Sequence, residues 1–186
     1  RWTIQKECLD KTNTKESEIT HIAFNTKPNS NFLQKLKFII SRLNIKNNFT
    51  KRYNAKKKLN KIFSNKFNFN KNIKYVFIEH HIAHIASAFY SSKFNDAIGL
   101  SIDGSGDFAS LMIAECNQKD INVKKRLHFP DSLGIFYHAM TQFIGFKNFG
   151  DEYKIMGLAS YGKPVYFEKL KNNLFIETET FFKLNL

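Results

Sequence analysis

Cysteine is scarce in this chain. Cys8 and Cys116 are too few and too far apart to suggest a disulfide scaffold, so a reduced, cytoplasmic setting is expected. Long apolar runs are missing as well. None approaches the roughly 20 residues needed to cross a bilayer, and no signal-peptide pattern is present, so no membrane association is expected. Acidic residues are absent from one long internal stretch. Between Lys27 and Ile78 there are fourteen Lys or Arg and no Asp or Glu, whereas the remainder carries fifteen basic and sixteen acidic residues. The formal net charge of +13 therefore belongs to one segment, and the rest is close to neutral. That segment is also rich in Asn and Phe. It reads as a solvated helical face, with an acidic partner or a nucleic-acid backbone as the less favoured alternative.

Hydrophobic residues make up 42% of the 186 positions, enough for a real core, and twenty Phe with seven Tyr make much of it aromatic. The chain opens on Arg1 and closes on Leu186 just after an apolar run, so both ends read as cut. Periodicity predicts a helix over residues 2–10, a short strand from Ile19 to Phe24, and a helix from Phe32 to Leu43 with apolar steps of three and four. A more polar helix from Thr50 to Phe63 and a low-complexity loop from Asn65 to Asn72 follow. Tyr75 to Ile78 reads as a buried strand running directly into a helix from His80 to Tyr90. Three strands are then expected, Ala97–Ile102, Ser110–Cys116 and Ile121–His128, joined by polar turns into an antiparallel meander. Ser132 is a plausible N-cap for a helix through Ile144. A glycine-punctuated loop, a helix near Val165 to Asn172 and a final strand or two complete the pattern.

Three places could carry chemistry. In Glu79-His-His-Ile-Ala-His84, His80 and His84 lie one helical turn apart and can share a metal ion; the alternative is a pair of surface histidines with His81 as a bystander. A His-Glu-x-x-His zinc protease is disfavoured, because His81 stands where that motif needs its general base. In Leu100-Ser-Ile-Asp-Gly-Ser-Gly-Asp107, a strand delivers Asp103 into a glycine-rich turn. There Gly104 and Gly106 let backbone N–H groups approach an anion; an ordinary hairpin turn is the plainer reading. In Asn148-Phe-Gly-Asp-Glu-Tyr-Lys-Ile-Met-Gly-Leu-Ala-Ser-Tyr-Gly162, glycines mix with the charged cluster Asp151, Glu152 and Lys154, and Lys154 could meet a phosphate as a point charge or belong to a salt-bridged loop.

Taken in order and spacing, these stretches resemble the O-carbamoyltransferases of nodulation and antibiotic type. The resemblance rests on His80-His-x-x-His-x-x-Ser-Ala-Phe-Tyr90, Asp103-Gly-x-Gly106, Pro130-x-Ser-Leu-Gly-x-x-Tyr137 with Gly145-Phe146, and Asp151-Glu-Tyr-Lys-x-Met-Gly-Leu-Ala-x-Tyr-Gly162. It is clear over about 80 residues, and the first 79 match only in general layout. It implies an α/β protein of the actin-like ATPase (ribonuclease H-like) type with duplicated lobes, incomplete at both ends. Residues 1–95 would be a first lobe lacking its opening strands and carrying the basic helical segment 27–74. Residues 96–186 would begin the second lobe, and a YrdC-like domain would be absent. The implied reaction transfers a carbamoyl group from carbamoyl-adenylate, made from carbamoyl phosphate and ATP, to a hydroxyl of a small-molecule or sugar acceptor. The resemblance implies His80, His84 and Asp103 at an iron ion or another divalent metal, and Gly104, Gly106, Lys154 and Gly157 near nucleotide or phosphate. It also implies that this piece alone is inactive, because base candidates and another ligand lie outside it. A tRNA threonylcarbamoyl transferase relative is weakened by Ile82-Ala83, where that family has Glu-Gly. A non-catalytic nucleic-acid-binding module using the basic segment is the alternative from another class.

Overall fold

The structure is a computed structural model that describes residues 2–41, 73–179 and 181–185. The polar helix and low-complexity loop expected between Thr50 and Asn72 lie outside the described residues, as does most of the basic segment.

The first layer is small. Helix α1 (Trp2–Lys11) precedes strand β1 (His21–Phe24), helix α2 (Phe32–Ser41) and strand β2 (Lys74–Phe77). β1 and β2 pair in parallel, with Ile22 opposite Tyr75 and Phe24 opposite Phe77. Phe24 and Phe77 stack with ring centroids 5.2 Å apart. A parallel pair requires a crossover, and α2 lies within the chain that provides it.

β2 feeds helix α3 (His80–Tyr90) through Ile78 and Glu79, and the chain continues into the meander of β3 (Asp96–Gly106), β4 (Ala109–Asn117) and β5 (Ile121–His128). The core lies where α3 covers this sheet. His81, Ile85 and Phe89 recur every fourth residue and form the buried stripe of α3. Ile85 and Phe89 pack with Met112, Ala114 and Cys116 of β4, flanked by Ile82, Ala97, Ile121 and Val123. Gly99 of β3 is what lets the helix come so close, since a Cβ there would meet Ile85 Cγ2 at 2.5 Å. The stretch before residue 96 and the stretch after it therefore share one core.

β3 runs four residues further than its sequence pattern suggested. Its register with β4 breaks between Ile102, opposite Leu111, and Gly106, opposite Ala109. Asp103, Gly104 and Ser105 face a single residue, Ser110, so the strand bulges at that point. The turn itself is Asp107-Phe108, just past the two glycines expected to make it. Both residues have positive φ, 50° and 74°, as a two-residue hairpin turn of the primed type demands. A left-handed Phe is unfavourable by about 1–3 kcal/mol. Its ring packs in a three-ring cluster with Phe38 of α2 and Phe129, at centroid distances of 5.6 and 5.7 Å.

Ser132 caps helix α4 (Leu133–Phe143) by accepting from the Ile135 N–H at 3.1 Å. A second helix, α5 (Glu152–Ala159), lies in the middle of what the glycine spacing presented as loop. Helix α6 (Phe167–Leu174) and the short hairpin β6 (Phe175–Glu177) and β7 (Phe182–Leu184) follow. No helix among the described residues is long and apolar enough to cross a membrane. The protein is thus a mixed α/β structure, with one parallel pair and one antiparallel meander joined by α3.

Candidate metal centre

α3 starts at the C-terminal end of β2, and its opening turn presents His80 and His84 on one side. Residues on β3 alternate between faces. Ala97, Gly99, Ser101 and Asp103 point toward α3, while Ile98, Leu100 and Ile102 are 68%, 58% and 51% exposed. The two periodicities bring three side chains together. His80 Nε2 lies 2.8 Å from Asp103 Oδ2, His84 Nε2 is 3.0 Å from His80 Nε2, and His84 Nε2 is 3.6 Å from Asp103 Oδ2.

These separations, from 2.8 to 3.6 Å, straddle those expected around a shared cation. Ligand atoms about 2.1 Å from one ion stand roughly 3.0–3.4 Å apart for angles of 90–110°. Two imidazoles and a carboxylate form a borderline donor set that iron, zinc and related divalent ions accept. His80, His84 and Asp103 form the one such group of three His, Cys, Asp or Glu ligands among the described residues. Their side chains are 22%, 52% and 41% exposed, so the group is anchored on one side and open on the other. Burial opposes charge on Asp103. Hydrogen bonds from His80 and from the Gly104 N–H (2.6 Å) outweigh it, holding the carboxyl below the ordinary range. An ionised carboxylate is the form a cation needs.

The surrounding residues fix this arrangement. His81, read from sequence as a bystander, is fully buried. Its Nε2–H donates to the Ala109 carbonyl at 2.9 Å, and its Nδ1 accepts from the Ser101 hydroxyl at 2.8 Å. Burial pushes its pKa down and keeps it neutral. His81 thus bolts α3 to β3 and β4 between the two candidate ligands. Glu79, immediately before the helix, is buried and accepts from Nε and Nη2 of the Arg126 guanidinium, at 3.0 and 2.9 Å. From the hairpin tip, Asp107 Oδ2 accepts the His80 N–H at 3.0 Å and so caps the helix that Glu79 does not cap. Position 81 could have been assigned to the core from the fourfold spacing of His81, Ile85 and Phe89. The roles of Asp107 and Arg126 depend on contacts across 27 and 47 positions that no local pattern carries.

The glycines expected near phosphate divide into different situations. At Gly106 a Cβ would sit 2.0 Å from His80 Cδ2, so its absence makes room for the His80 ring. At Gly104 a Cβ would meet nothing, and the backbone borders open space. Gly134, in the first turn of α4, abuts that backbone; a Cβ on it would approach Gly104 N to 2.5 Å. Ser132 donates to the Gly104 carbonyl at 2.6 Å, so the start of α4 braces the bulge that carries Asp103. Lys154 pairs with Asp151 at 2.8 Å and lies over the Phe146 and Tyr153 rings. Gly157 is in α5 with open space around it.

The model of the carbamoyltransferase N-terminus matches residues 4–186. An uncharacterized protein of Synechocystis is 40% identical over 112 residues, covering 60% of this chain and 18% of that protein. Nodulation protein NolNO of Sinorhizobium fredii is 42% identical over 88 residues, covering 47% of this chain and 13% of its own. Nodulation protein NolO of Bradyrhizobium diazoefficiens is 40% identical over 95 residues, covering 50% and 17%. The chain spans less than a fifth of the length of these relatives. Because the family model covers nearly every residue, the chain belongs to the carbamoyltransferase family and matches its N-terminal region.

Proposed function

We propose that this chain forms part of the transfer site of an O-carbamoyltransferase, which moves a carbamoyl group from carbamoyl-adenylate to a hydroxyl of a small-molecule or sugar acceptor. The adenylate would be made from carbamoyl phosphate and ATP in another part of the full-length protein. The observation that carries the reading is the convergence of His80, His84 and Asp103 within 4.8 Å in a chain of this family. These three would hold a divalent ion, with iron favoured by the resemblance. When bound, such an ion supplies Lewis-acid polarisation of a carbonyl or phosphate oxygen.

The remaining work falls to the protein. In the transfer, the bond from the carbamoyl carbon to the adenylate oxygen breaks and a bond to the acceptor oxygen forms. AMP departs, and the acceptor's proton passes to a base. Asp103 places negative charge beside the imidazoles, and the bulge braced by Ser132 and Gly134 keeps it there. The side chain missing at Gly104 leaves an approach for the adenylate. Lys154 and Gly157 would border the nucleotide; Asp151 orients the Lys154 ammonium toward one side of α5. We read the pair β1–β2 and the meander β3–β5 as portions of two actin-like lobes that meet at α3.

The test uses the full-length protein with carbamoyl phosphate, ATP and Fe2+, following adenylate formation and its consumption by hydroxylated acceptors. His80→Ala and His84→Ala are expected to form adenylate at the parental rate and to lose transfer by about 100-fold or more, the scale of losing a charge-stabilising group. Equal transfer by the variants would make the histidine pair structural and overturn the reading.

A further inference from the structure

An imidazole can ligate a cation through Nε2 only when that nitrogen carries no proton, so something must keep the proton on Nδ1. At His80 that partner is the backbone carbonyl of Asn25, 3.3 Å from Nδ1. A carbonyl accepts and never donates. Nδ1 therefore holds a proton, and Nε2 is the nitrogen turned toward Asp103 and His84, the one a cation would take. The carbonyl sits in the irregular stretch after β1, where no strand ladder holds it. Its position depends on side chains elsewhere.

Asp107 provides them. Its Oδ1 accepts from the Thr26 hydroxyl at 2.8 Å, and its Oδ2 accepts from the Lys27 N–H at 2.7 Å and the His80 N–H at 3.0 Å. The backbone carbonyl of Asp107 also receives the Asn31 side-chain amide at 3.1 Å. One carboxylate thus grips the two residues that follow Asn25 and the first residue of α3. It sets both halves of the Asn25–His80 hydrogen bond. The left-handed turn at Asp107 aims the carboxylate back at the helix. Thr26, Lys27, His80 and Asp107 come from three separate parts of the chain.

We propose that Asp107 is a positioning residue of the centre: by clasping Thr26 and Lys27 to the start of α3, it holds the Asn25 carbonyl on His80 Nδ1 and so selects the Nε2-ligating tautomer. This inference rests on the reading of His80 as a ligand. Without the clasp, the carbonyl drifts from the ring and His80 populates both tautomers. The Nε2-protonated one cannot bind.

Two variants separate this role from a general loss of fold. Asp107→Gly removes the carboxylate while accepting the positive φ without strain. Asp107→Asn keeps an acceptor for the Lys27 and His80 N–H groups and turns its amide toward the Thr26 hydroxyl, which can accept. In the full-length protein titrated with Co2+ alone, Asp107→Gly is expected to weaken binding by about 10- to 100-fold, the range for losing an outer support of a ligand, and Asp107→Asn by no more than about threefold. Nitrogen-15 NMR of the metal-free protein should show a proton on His80 Nδ1 in the parent and a reduced share of it in Asp107→Gly. His81 should stay protonated at Nε2 in both, reporting an intact helix and sheet. Parental Co2+ affinity and an unchanged His80 tautomer in Asp107→Gly, with binding lost in His80→Ala, would overturn the positioning role and leave the metal centre standing. Parental affinity in His80→Ala would remove the centre and this inference with it.

Discussion

At the scale of single residues, the centre depends on atoms that are missing as much as on atoms present. Gly106 is the clearest case, because the His80 ring occupies the volume where its side chain would stand. Gly106→Ala is expected to push His80 off its pose, cost about 1–3 kcal/mol of stability as an overpacking change, and weaken metal binding out of proportion to that cost. Thermal melts paired with Co2+ titration check this; parental affinity in a folded Gly106→Ala protein would show that the ring tolerates displacement. Gly157 points the other way. It lies inside α5 with nothing near a would-be Cβ, and a helical glycine is less favourable than alanine by about 1 kcal/mol. Gly157→Ala should therefore raise the melting temperature. If the residue borders the nucleotide as proposed, carbamoyl transfer should fall in the same variant, and a rise in both would count against that placement.

Among the elements, α3 carries most of the argument, because it packs the core with one face and presents the candidate ligands with its first turn. Phe89→Ala at its far end should cost about 3–5 kcal/mol, the usual range for emptying a buried aromatic site, measured by denaturant unfolding. Helix α5 has a different dependence. The Lys154 hydrogen bond, helped by the Asn148 N–H and opposed by burial, holds the Asp151 carboxyl below the ordinary range. A depressed carboxyl contributes stability that is complete above its unfolded pKa, about 3.9, and is lost as pH falls through its lower folded value. Asp151→Asn should therefore lower the melting temperature at neutral pH and make its decline below about pH 4 shallower. Parallel acid limbs in parent and variant would contradict this.

Legibility from sequence differed by element for physical reasons. α3, α4 and β5 announced themselves because apolar spacing and the Ser132 cap are local signals. The end of β3 did not: glycines at 104 and 106 normally mark a turn, and here they serve a bulge and a ring contact instead. α5 was hidden because Gly157 and its flanking glycines resemble loop punctuation. In the site, His80 and His84 follow from helical spacing. Asp103 stood out at a strand end before two glycines, its place beside the histidines was implied by the family resemblance, and the structure brings the three together. The burial of His81 could have been read from its fourfold spacing with Ile85 and Phe89, whereas Asp107 and Arg126 depend on tertiary contacts that no spacing in one chain encodes.

For the molecule as a whole, the centre lies where a parallel pair, a bridging helix and an antiparallel meander converge. Each contributes a part that the others cannot replace. The loop after β1 supplies the carbonyl on His80, α3 the imidazoles, and β3 the carboxylate, while α4 braces the bulge from outside. Such convergence explains how Asp103, 19 and 23 positions beyond the two histidines in sequence, comes to share one point with them. It also ties the account to one quantity, the metal content of the full-length protein reconstituted anaerobically with Fe2+. If His80, His84 and Asp103 hold the ion, each of His80→Ala, His84→Ala and Asp103→Ala should lose tightly bound iron while keeping the parental circular dichroism. Undiminished iron in all three folded variants would contradict the centre described here.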